Sequence, residues 1–164
     1  MAAGATYTPL ATTTLTSNAA SITFSSIPSG YTDLILVSRL QNANANAPYI
    51  RLNGDTGTTY SQTYLEGNGS TVTSARGISQ TYGYLNLNSD PGNNGFIIID
   101  FLNYSNTNMS KIYLSKTSNS AGAVDFVTGA WRSTTAISTI LLASSNGGNY
   151  LAGSTATLYG ILAA

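Results

Sequence analysis

Cysteine and histidine are both missing from this chain, and charge is scarce: 7% of its 164 residues are charged, six basic against six acidic. Without cysteine there is no disulfide framework and no thiolate metal site. Without histidine, acid–base chemistry falls to paired carboxylates, and Asp33, Asp55, Glu66, Asp90, Asp100 and Asp125 are so scattered that spacing locates no pair. Zero net charge removes the long-range attraction that a polyanion or an anionic membrane exerts, so neither nucleic acid nor membrane is an expected partner. No apolar run approaches the ~20 residues of a membrane-spanning helix. The opening MAAGATYTPL lacks the basic and apolar regions of a secretory signal. Helix formers are thin as well, with three Gln, two Lys and one Glu.

What the chain has instead is Thr (23), Ser (21), Asn (16), Gly (16) and Tyr (11). Thr and Tyr favour strands; Ser, Asn and Gly favour turns. A length of 164 residues suits one domain. Residues 1–18 are small and Thr-rich, with Tyr7, Leu10 and Leu15 as the large apolar groups, and are expected to form an N-terminal arm that hugs a sheet edge or crosses to a neighbouring subunit. Residues 19–164 are expected to form the β domain. Leu34–Leu40 (LILVSRL), apolar without a break at first, reads as a buried strand covered on both faces for part of its length, and Phe96–Phe101 (FIIIDF) as a second buried strand, both central. Lys111–Lys116 alternates, and Val124–Trp131 and Thr155–Leu162 read as further strands. Asn53-Gly54, Gly67-Asn-Gly69 and Ser89–Gly95 (SDPGNNG) are turn and loop signals. About ten short strands with no helical periodicity define an all-β fold, an antiparallel β-sandwich or barrel.

Few residues carry a chemical signature. Asn53–Gly57 (NGDTG) offers clustered oxygens but lacks the spacing and terminal Glu of a calcium loop, so a turn is expected and no metal or cofactor. Asp100 inside FIIIDF is expected to face outward or pair with a cation. Trp131 with Arg132 is expected to be an anchor with a polar neighbour. Tyr60, Tyr64, Tyr82, Tyr84, Tyr104 and Tyr150 lie beside Asn-rich turns, where tyrosines serve as sugar-stacking plates or as packing. No catalytic residue is assigned, and no enzymatic activity is expected. A polysaccharide-cleaving site would require two carboxylates brought together by folding.

Five blocks carry a resemblance: IPSGYTDLILVS (Ile27–Ser38), LNGDTGTTYS (Leu52–Ser61), NYSNT (Asn103–Thr107), WRSTTAI (Trp131–Ile137) and AGSTATLYGI (Ala152–Ile161). In this order they resemble small bacteriophage virion proteins, over about residues 21–161. The resemblance implies a jelly-roll β-sandwich on the outside of a virion, either a capsid decoration (cement) protein or the distal domain of a tail fibre that binds a receptor or glycan. A chain without coiled-coil heptads or repeats fits capsid decoration better. The expectation is therefore a structural protein on the outer capsid surface, partnered by the major capsid protein and by itself as a homotrimer. Tyr7, Leu10 and Leu15 are the expected capsid contacts.

Overall fold

A computed structural model of the protein describes residues 6–43, 47–85 and 94–162. Twelve strands run in chain order: β1 (Tyr7–Thr14), β2 (Ser21–Phe24), β3 (Asp33–Gln41), β4 (Pro48–Leu52), β5 (Tyr60–Gly67), β6 (Val72–Gln80), β7 (Gly83–Tyr84), β8 (Asn94–Leu102), β9 (Lys111–Asn119), β10 (Val124–Trp131), β11 (Ile140–Ser144) and β12 (Thr155–Ile161). They form an antiparallel β-sandwich, as the composition and turn spacing indicate, of the jelly-roll type that the resemblance implies. One sheet has eight strands in the order β1-β12-β3-β8-β9-β10-β5-β6; the other has four, β2-β11-β4-β7. Most of the expected loop Ser89–Gly95 lies outside the described residues.

Alternation along each strand builds the core. Leu34, Leu36 and Leu40 of β3, Ile97, Ile99 and Phe101 of β8, and Val127 and Trp131 of β10 meet Ile22, Phe24, Ile50, Leu52, Ile140 and Leu142 of the small sheet. Opposite side chains of two packed sheets interdigitate in this way. At the interface Tyr113 lies over two glycines: a Cβ on Gly129 would sit 2.0 Å from its ring and one on Gly83 2.7 Å from its hydroxyl. The glycines leave the space that the buried phenol occupies.

One expectation is corrected. β3 and β8 are covered on one face, not both: Ile35 and Val37 are half-buried, and Phe96 and Ile98 are 52% and 37% exposed. The small sheet covers only the inner face, so these outward residues lack a covering layer among the described residues. Within the expected arm, the chain lies along a sheet edge. Residues 7–14 are the edge strand β1, paired with β12 from Tyr7↔Ile161 to Thr14↔Thr155 around an irregularity between Pro9 and Ala11. Hydroxyl contacts Thr12–Thr157 (3.0 Å) and Thr14–Thr155 (3.2 Å) join the two strands, and an edge position tolerates a proline that cannot donate. Leu10 and Leu15 pack against the core and Tyr7 is exposed.

Candidate functional site

Four of the five blocks of the resemblance meet at one end of the sandwich, where they bind each other. Asn53, at φ +52°, receives the backbone N–H of Ser138 (2.8 Å) and Thr139 (3.0 Å) on Oδ1 and donates Nδ2 to Ala136 O (2.8 Å). Asp55 Oδ2 accepts from Trp131 Nε1 (2.6 Å) and Thr59 Oγ1 (2.7 Å), and Oδ1 accepts from Gly57 N (2.7 Å). Tyr104 donates its hydroxyl to Pro28 O, and Asp33 Oδ1 accepts from Asn103 N at 2.6 Å. Lys111, 2% exposed, donates Nζ to the carbonyls of Asn106 (2.5 Å), Met109 (2.9 Å) and Thr134 (3.1 Å), and burial pulls its pKa below the ordinary lysine value. These polar groups are consumed by holding loops together. The NGDTG turn is thus structural, and among the described residues no group of three or more acidic side chains could hold a metal ion.

The Trp131 indole, then Thr59 and the Gly57 N–H, hold the Asp55 carboxyl below the usual carboxylate range. A carboxylate with a depressed folded-state pKa stabilises the fold above its unfolded value near 3.9 and loses that contribution as pH falls through the lower folded value. Asp55→Ala is expected to cost about 2 to 3 kcal/mol at neutral pH, since hydrogen bonds to a charged group are lost and a buried indole N–H is left without an acceptor. Fluorescence of the sole tryptophan, followed through thermal unfolding at pH 7 and in the acid range, should show the gap between parent and variant closing as pH drops. A gap independent of pH would show that the carboxylate charge contributes nothing.

The tyrosines divide. Tyr60, Tyr104 and Tyr150 are fully buried and serve the core; Tyr60, pushed up to about 12 by burial, reaches the Leu52 backbone through its hydroxyl. Tyr64 and Tyr84 meet edge-on with centroids 6.1 Å apart. Burial, then the nearby phenols of Tyr64 and Tyr82 and the carboxylates of Asp125 and Glu66, raises Tyr84 to about 12. Those carboxylates are direct cross-strand partners in β10 and β5, a pairing that sequence spacing did not reveal. Asp125 is buried and accepts from Thr117 Oγ1 at 2.9 Å.

Two surfaces remain open. On the small sheet's outer side Tyr49 and Tyr82 pack with ring centres 4.8 Å apart, and the Arg51 guanidinium lies 5.2 Å from the Tyr49 ring centre. They line a groove of about 490 Å³ together with Ser21, Ala143 and Ser144. On the large sheet, the register aligns outward residues across five strands: Phe96, Ile98 and Leu102 of β8, Ile112 and Leu114 of β9, Val124 and Phe126 of β10, Leu65 of β5 and Val72 of β6. All nine are exposed, from 37% at Ile98 to 79% at Val72. Asp100 faces out among them and is paired with Lys116 at 3.2 Å, so the two charges neutralise each other. An apolar depression of about 260 Å³ lies between Leu65, Leu114 and Phe126.

No protein-family model and no curated protein sequence matches the chain. Among solved structures it is similar to the PL-14 alginate lyase of Aplysia kurodai (10% identity, TM-score 0.38, 84% of this chain and 72% of that one). It is also similar to a mutant of alginate lyase Aly36B in complex with alginate tetrasaccharide (12% identity, TM-score 0.36, 93% and 82%). This likeness is one of fold. The expectation of no enzymatic activity meets a contrary finding, since the similar structures are of enzymes, but a likeness of fold assigns no activity to this chain.

Proposed function

We propose that this chain is a structural protein of a bacteriophage virion, a decoration protein that docks on the outer capsid surface through the outer face of its larger sheet. The observation that carries the reading is the set of nine exposed apolar side chains spread over β8, β9, β10, β5 and β6, interleaved with small polar residues and the Lys116–Asp100 pair. An exposed sheet face this rich in apolar groups is suited to a protein interface, and the five blocks that resemble virion proteins supply its setting. At ~4.8 Å between strands and ~6.8 Å between side chains along each strand, the nine apolar positions cover roughly 300 Å². That is less than half of what one partner buries in a standard stable interface. A single contact of that size is weak, and repetition over a symmetric shell turns it into firm attachment. The major capsid protein is the partner, and a homotrimer at threefold positions is the state that suits such a shell.

Phe126→Asp combined with Leu114→Asp places two desolvated charges in the middle of the patch without touching the inner face. Occupancy on purified shells is expected to drop at least tenfold, roughly 1.4 kcal/mol or more, while the melting temperature stays within a few degrees of the parent's. Undiminished occupancy by the folded variant would refute docking through this face.

A further inference from the structure

The groove on the opposite side of the molecule supports a second activity. We propose that Tyr49, Tyr82 and Arg51 form a binding site for a saccharide that carries a carboxylate. Two observations meet there. The two phenol rings, 4.8 Å apart and inclined at 42°, present an apolar plate beside a groove of about 490 Å³, the size of a one- or two-ring sugar and within the ordinary range of ligand pockets. Arg51 is held ready: its guanidinium lies over the Tyr49 ring, and Nε donates to Thr81 O at 3.4 Å. The Nη groups make no hydrogen bond among the described residues, and a planar fork of N–H donors matches a carboxylate.

The chemistry selects the ligand class. No acidic side chain lines the groove among the described residues, so Arg51 makes its charge positive. An aromatic plate takes the apolar C–H face of a sugar ring, small residues such as Ser21 and Ala143 leave the ring room to approach, and the guanidinium takes the carboxylate. A neutral sugar would leave the cation unused. A nucleic acid would need a run of cations, and the groove offers Arg51 alone among the described residues.

Titration of the ¹⁵N-labelled full chain with trigalacturonate, and with its carboxyl-reduced galactose counterpart, tests the site. Shifts are expected at Ser21, Arg51, Tyr82 and Ala143, with the acidic ligand binding about tenfold more tightly. Arg51→Gln should erase that preference, and Tyr82→Ala, at a half-buried position outside the core, should weaken both ligands about tenfold. Phe126→Asp should change neither, which separates this site from the docking face. No shifts with either ligand at millimolar concentration, equal affinity for the two, or binding indifferent to Tyr82→Ala would each overturn the proposal.

Discussion

Gly129→Ala should lower the melting temperature by about 10 °C. A Cβ at this position would fall 2.0 to 2.3 Å from three atoms of the Tyr113 ring and hydroxyl, a distance no real contact reaches. Tyr113 cannot yield easily. It is 1% exposed, its hydroxyl sits 2.7 Å from the Cβ position of Gly83 on the other sheet, and its ring neighbours Phe101 at 6.4 Å. The added methyl must push the sheets apart or drive the phenol off its rotamer. Overpacking of this kind costs about 1 to 3 kcal/mol and sometimes more, and in a domain of this size each kcal/mol moves the transition by roughly 2 to 4 °C. Thermal unfolding followed by circular dichroism checks the claim. Because Tyr113 is the obstacle, Tyr113→Leu combined with Gly129→Ala should recover part of the loss. A double variant that loses the sum of both single effects would show that the Tyr113 ring does not oppose the methyl.

Lys111→Met should be comparably damaging for the opposite reason, a deletion. The methionine keeps the length and apolar stem of the lysine, but the carbonyls of Asn106, Met109 and Thr134 lose the ammonium that joins them. Loss of hydrogen bonds to a charged donor costs about 1.5 to 3 kcal/mol each. The lower end is expected, because Asn106 is half-buried and Met109 exposed, so water replaces part of the lost donation. The damage should be local. Hydrogen exchange should rise first in residues 103–110 and 131–138, while the β3–β8 pair stays protected. Uniform loss of protection would show that Lys111 supports the whole sandwich and not this one end.

Strand identity was legible wherever polar and apolar residues alternate. Val124–Trp131 occupies β10 with the expected limits, and Thr155–Leu162 contains β12 between β1 and β3. Burial was less legible. FIIIDF reads as doubly covered because hydrophobicity reports that a side chain avoids water, without naming whether its cover comes from the same chain. Phe96 and Ile98 carry that ambiguity, and the proposed docking face is where it surfaces. β1 was hidden for another reason: its small, Thr-rich sequence YTPLATTT has no apolar period, and the partners of Thr14 and Thr12 lie 141 and 145 residues away. The same long range hid Glu66 beside Asp125 and Tyr49 beside Tyr82. The tyrosines expected as a single class are split by burial, since phenols of equal hydropathy fill the core at Tyr60, Tyr104 and Tyr150 and line the groove at Tyr82.

Docking through the larger sheet is tested most directly by an image of the assembled virion at residue resolution. Density for this chain is expected on the outer shell, with Phe96, Ile98, Leu114 and Phe126 covered by a neighbouring protein. Particles that lack the chain, or that carry it with this face turned to solvent, would contradict a docking role.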